Sequence, residues 1–145
     1  MKKLLILLFI TLTLLIQGCG EETKYSTYLS GEIKSASYYK YDKLQKATYW
    51  YRNGQVRISE NYKDGKLDGK QTDWHENGQI SWEKYYKDGK MVGKWTSWYE
   101  NGLKRFEWNY KDDWRDGKQT WWDLNGQIEA QAIYKDNECS GDCSY

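Results

Sequence analysis

The 145-residue chain has no proline, one histidine, three cysteines and a formal charge one unit from neutral. Each shortage removes a class of protein. Without proline, no strand loses a backbone donor and no helix is kinked by its ring. The lone histidine, His75, is followed by Glu76, but an H-E-x-x-H zinc site needs a second histidine where Gln79 stands, so that motif is excluded. Two thiols and one distant histidine do not supply the four ligands of a structural zinc centre. The balanced charge gives no basic face for nucleic acid. No glycine-rich phosphate loop and no serine–histidine arrangement occurs. No catalytic residue, metal ligand or cofactor is therefore assigned, and the chain is expected not to be an enzyme.

The only long apolar run is at the start, where Lys2 and Lys3 precede Leu4 to Ile16. It is short of the ~20 residues that a membrane-spanning helix requires, and it reads as an export signal. Ile16-Gln17-Gly18-Cys19 resembles a bacterial lipobox. That resemblance implies cleavage before Cys19 and a diacylglycerol anchor on its thiol, hence a lipid-anchored protein of the cell envelope. Gly20 in place of an aspartate implies the outer membrane if the envelope is Gram-negative. Ordinary secretion and an uncleaved anchor are the other readings of the segment. Cys139 and Cys143, in CSGDC, either close a small disulfide loop in such an oxidising compartment or remain free thiols.

The rest is periodic. Trp50, Trp74, Trp98 and Trp122 are each 24 apart, as are Asn53-Gly54, Asn77-Gly78, Asn101-Gly102 and Asn125-Gly126. Tyr62, Tyr86, Tyr110 and Tyr134, each followed by Lys-Asp, keep the same step, and so do Thr72, Thr96 and Thr120. A degenerate copy precedes them, with Ser30-Gly31 in the Asn-Gly slot and Tyr38 in the tyrosine slot, offset by one residue. The expected layout is a signal peptide over 1–18, a linker over 19–28, four repeats plus the degenerate one over 29–138, and a tail over 139–145.

Every repeat has two turn signals separated by segments rich in Trp, Tyr, Ile and Thr. The spacing predicts a strand, a tight Asn-Gly hairpin, a second strand and a slightly longer Asp-Gly turn, hence an all-β antiparallel meander in one elongated sheet. Gly65 and Gly89 become Asp113 and Asn137, residues that also tolerate the left-handed conformation. A three-residue Glu76-Asn77-Gly78 loop with a glycine bulge sets Trp74 opposite Ile80. Thr72, Trp74, Ile80, Trp82 and Tyr86 are then expected on one aromatic face, with Asp73, His75, Gln79, Ser81 and Glu83 on a polar one. His75 occupies a slot filled elsewhere by Tyr51, Tyr99 and Asp123, which imposes no chemistry.

The pattern W-x-x-N-G-x-hydrophobic, then Y-K-D-G-K-x-x-G-K, resembles the bacterial variant of the MORN repeat. Proteins of this kind are often described as YwqK-type antitoxin components of toxin–antitoxin systems. The resemblance implies rows of β-hairpins serving as a binding or scaffolding surface for a protein or a membrane. Gly93-Lys94-Trp95 is also similar to the choline-binding repeat of cell-wall proteins, which would imply a glycan or teichoic-acid ligand. Trp95, Trp114 and Trp121 lie outside the repeated tryptophan slot and are the candidate binding surface; the competing reading makes the tryptophans a structural aromatic core. The turn lysines Lys63, Lys87, Lys111 and Lys135 are each offset by the adjacent Asp64, Asp88, Asp112 and Asp136. The functional expectation is an envelope-anchored protein-binding or scaffolding module, with glycan binding or neutralisation of a partner toxin as alternatives.

Overall fold

The computed structural model describes residues 20–140, so the export segment, Cys19 and Cys143 lie outside it. The described residues contain no helix; they form one open antiparallel meander. Three strands lead in: β1 (Glu21–Thr27), β2 (Ile33–Lys40) and β3 (Lys43–Trp50). Three units of a long, a two-residue and a six-residue strand follow. They are β4 (Val56–Lys63), β5 (Lys66–Leu67) and β6 (Gly69–Trp74); β7 (Ile80–Lys87), β8 (Lys90–Met91) and β9 (Gly93–Trp98); and β10 (Lys104–Lys111), β11 (Trp114–Arg115) and β12 (Gly117–Trp122). The sheet ends with β13 (Ile128–Lys135) and β14 (Glu138–Ser140). Pairing follows chain order, with the two-residue strands branching from β4, β7 and β10.

The sheet extends past both ends of the expected repeat region. Residues 21–27 pair along β2 and residues 138–140 pair with β13, because each terminal hairpin offers unpaired backbone groups. In the degenerate copy, Gly31 N–H donates to Tyr28 O at 3.0 Å, as Gly54 N–H does to Tyr51 O at 3.1 Å. Its tyrosine slot is filled by Tyr39, opposite Leu44 as Tyr62 is opposite Leu67, and not by Tyr38. That copy is one residue short, which accounts for the offset.

The Asp-Gly turn is tighter than expected. Asp64 and Gly65 have φ of 48° and 79°, the two positive values of a two-residue hairpin, so the Asp-Gly turn is the tight one. Asp112 (49°) and Asp113 (72°) keep this geometry, and the Asp113 carboxylate accepts the Met91 N–H at 2.8 Å, a bond glycine lacks. The Asn-Gly loop is the three-residue form: His75 N–H donates to Gln79 O at 2.8 Å, and Gly78 has φ 84°.

Trp74 does face Ile80, but the faces divide differently from expectation. A bulge follows at once, so Asp73 opposes Trp82 and Thr72 opposes Glu83. One extra residue inverts the alternation for the rest of the strand. Trp82 and Tyr86 therefore leave the Trp74 face and join Asp73, and Glu83 moves the other way. The bulge recurs opposite Tyr49/Trp50, at Lys104/Phe106 and opposite Trp121/Trp122.

Two faces result. A ladder face carries Trp50, Trp74, Trp98 and Trp122 beside Thr72, Thr96 and Thr120, and these threonines are buried. A cluster face carries Trp82, Trp95, Phe106, Trp108 and Trp121. Among the described residues the buried hydrophobic ones are all alanines, Ala47, Ala130 and Ala132, so the sheet is a single layer whose large side chains are only partly covered.

Candidate binding surface

Neighbouring repeats are tied along the Asn-Gly edge by side chains that reach one repeat forward. Tyr28 Oη donates to Trp50 O at 2.7 Å, Tyr51 Oη to Trp74 O at 2.7 Å, and Tyr99 Oη to Trp122 O at 2.8 Å. His75 Nε2 meets Trp98 O at 3.1 Å in the same way; a carbonyl only accepts, so the imidazole N–H donates. His75 is thus a structural link between repeats, not a residue left idle on a polar face. Asn53, Asn77 and Asn101 each use Oδ1 to accept a backbone N–H of their own loop and Nδ2 to donate to the next loop's carbonyl. On the opposite edge, Lys87 pairs with Asp68 at 3.0 Å and Lys135 with Asp116 at 2.6 Å. These links tie the hairpins of successive repeats together at both edges of the sheet.

On the cluster face the third repeat concentrates aromatic rings. Trp95 meets Phe106 and Trp108 edge-on, each at 5.0 Å between centroids. Phe106 stacks on Trp108 at 4.4 Å, and Trp108 reaches Trp121 in the next repeat at 5.7 Å. These are the offset and edge-to-face geometries that ring quadrupoles favour. From the second repeat Lys84 inserts its ammonium 4.4 Å from the Trp82 ring and 4.3 Å from Trp95. Burial pushes its pKa down, while the facing rings favour the cation. The indole nitrogens of Trp95 and Trp108 are buried without a hydrogen-bond partner among the described residues, a cost of about 1–3 kcal/mol each.

Toward the first repeat the same face turns polar. Glu60 accepts from Tyr62 Oη and from Gln71 Nε2, each at 2.6 Å. Burial, and then the Glu60 bond, push the Tyr62 phenol well above its ordinary pKa, so Tyr62 stays a donor. Beyond the cluster, the fully buried Gln119 accepts the Asn109 N–H at 3.2 Å and donates to Asn109 O at 3.1 Å. Apolar surface is therefore bounded on both sides by satisfied polar groups.

Of the three tryptophans expected to form a binding surface, Trp95 and Trp121 flank Trp108 in the cluster. Trp114 stands apart on β11 beside the Asp112-Asp113 turn, 53% exposed. Sequence reasoning missed Trp82, Lys84, Phe106 and Trp108 as their companions, because it put Trp82 and Trp108 on the other face. Polar residues recur at each bulge, Arg57, Ser81, Arg105 and Glu129, but an unbulged alternation also places polar residues there, so the sequence carried no signal for the faces. Cys139 is disulfide-bonded; Cys143, its expected partner, and Cys19, the expected anchor residue, lie outside the described residues. Among the described residues no group of three or more His, Cys, Asp or Glu could hold a metal ion.

Residues 46–64, 67–88, 91–112 and 115–136 match the MORN repeat variant, together more than half of the chain. The chain belongs to the MORN repeat variant family. Repeats of this family are commonly protein- or membrane-binding modules and are generally non-catalytic. The matches begin within β3, so the lead-in strands extend the sheet beyond the family's repeats. No curated protein matches significantly. Among solved structures, the crystal structure of the GtfA/B complex bound to UDP and GlcNAc is similar at a TM-score of 0.33 and 15% identity, over 83% of this chain. This chain spans 25% of that one, and a likeness of that size carries no argument about function.

Proposed function

We propose that this chain is an envelope-anchored, non-catalytic repeat lipoprotein that binds another protein through its cluster face. One observation carries the reading: Trp82, Trp95, Phe106, Trp108 and Trp121 form a partly exposed aromatic patch in which the Lys84 ammonium bridges Trp82 and Trp95, and among the described residues no second layer packs over it. Aromatic residues in a patch bordered by polar groups are the composition of a protein interface core. The export segment and Cys19 support the envelope location, with the sheet held near a membrane by the lipid. A glycan reading of the surplus tryptophans is weaker on this face, since Trp95 and Trp121 spend their rings on each other's neighbours. Neutralising a partner toxin is one form that protein binding would take, and the export segment restricts it to an exported toxin.

Affinity capture from detergent-solubilised envelopes tests the proposal. Wild-type protein should retain a partner at near-native abundance, and the folded Lys84→Glu variant should lose it. Recovery of no partner, or equal recovery by the variant, would overturn the reading.

A further inference from the structure

Across the ladder face, each repeat sets a threonine beside the residue at the fourth position of its long strand. Thr72 lies between Ser59 and Glu83, Thr96 between Glu83 and Glu107, and Thr120 beside Glu107. Glu83 pairs with Lys70, and Glu107 with Lys94 and Lys104, both at 2.8 Å. Their side chains are only 16% and 20% exposed, so each glutamate fills the hollow above its threonine and neutralises the lysine beside it.

The first family-matched repeat departs from this pattern. Ser59 stands where Glu83 and Glu107 stand, and Lys46, the counterpart of Lys70 and Lys94, has no ion pair among the described residues. The volume that glutamate takes elsewhere is open as a groove of about 430 Å³, lined by Lys46, Thr48, Gln55, Val56, Ser59 and Trp74. At its end is Gly78, where a Cβ would come within 2.9 Å of Gln55 Oε1. The side chains of Lys46, Thr48, Gln55 and Ser59 make no hydrogen bond among the described residues. The size lies within the ~300–1,000 Å³ range of small-molecule sites.

We infer that this groove binds an acidic saccharide unit, a hexuronic acid residue of a glycan. The Lys46 ammonium takes the carboxylate that Glu83 and Glu107 supply internally in the next two repeats. Ser59, Thr48 and Gln55 offer hydroxyl and amide groups to ring hydroxyls, and the Trp74 indole offers an apolar surface to the C–H face of the ring. An acidic peptide side chain would satisfy Lys46 but leave the remaining polar groups and the indole unmatched. The site is on the face opposite the aromatic cluster and is independent of protein binding there.

The test follows the Trp74 indole N–H resonance of the full mature chain during titration with trigalacturonate, neutral maltotriose and tetraglutamate. Trigalacturonate should give a saturable shift. Lys46→Gln should weaken it about tenfold. Ser59→Glu, which rebuilds the lysine–glutamate pair of the later repeats, should abolish it while the protein unfolds at an unchanged or higher temperature. The inference is overturned by any of three results: no saturable shift with trigalacturonate; equal binding of maltotriose or tetraglutamate; or wild-type affinity in either variant.

Discussion

His75 donates its Nε2 proton to the carbonyl of Trp98 at 3.1 Å, one repeat further along the chain, as Tyr51 donates its hydroxyl to Trp74 O at 2.7 Å. Two different side chains thus make one structural bond, and the slot selects for reach and a donor. His75→Tyr should keep the bond and change stability by less than about 0.5 kcal/mol. His75→Phe should lose about 1 kcal/mol, the value of a typical hydrogen bond. Urea unfolding of the two variants checks the pair; equal losses would show that the bond contributes nothing.

Removing residues 74–97 joins Asp73 to Trp98 and preserves the 24-residue phase. Tyr51 then meets Trp98 O in place of Trp74 O, and every inter-repeat bond finds its equivalent. The shortened chain should unfold cooperatively at a lower temperature, because each repeat is stabilised chiefly by its neighbours. Calorimetry showing no cooperative transition would contradict that modularity.

Trp108 contacts Trp95, Phe106 and Trp121, whereas Trp114 is 53% exposed. Trp108→Ala should cost about 2–4 kcal/mol, slightly below the loss from a closed core, since the face is open. Trp114→Ala should stay within about 0.5 kcal/mol. Denaturant midpoints measured side by side decide whether the cluster holds the sheet together.

The edge pairs give stability a pH dependence of known sign. Hydrogen bonding to Lys87 and to Lys135 holds the Asp68 and Asp116 carboxyls below their ordinary range. Their contribution is present above the unfolded carboxylate pKa of ~3.9 and is lost as pH falls through the lower folded values. The same bonds raise Lys87 and Lys135, so their contribution is present below the ordinary lysine pKa of ~10.4 and fades as pH rises through the higher folded values. The melting temperature should be flat between about pH 5 and 9 and fall on the acid side. The Asp68→Asn, Asp116→Asn double variant should show a shallower acid limb.

The 24-residue step of Trp74 and its equivalents was enough to read the meander and the bulged Asn-Gly loop, because side-chain period and turn chemistry are local properties of the chain. Which side Trp82 faces was not legible. It depends on one unpaired residue at Ser81, and a bulge leaves the order of apolar and polar residues unchanged while reversing their direction. Nor does spacing reveal that Tyr51 and His75 bind the carbonyl of a tryptophan 23 residues on, since only the stacked hairpins bring the two edges together. Trp95 and Trp121 stood out as departures from the repeat; their grouping around Trp108 required the true faces.

Photo-crosslinking from the two faces tests the central claim most directly. A photoreactive phenylalanine analogue replaces Tyr86 on the cluster face in one variant, and a photoreactive amino acid replaces Lys118 on the ladder face in another, each expressed in the native host. Crosslinks to one protein partner from position 86 and none from position 118 are expected. Equal yields from both positions, or crosslinks from position 118 alone, would contradict binding through the cluster face.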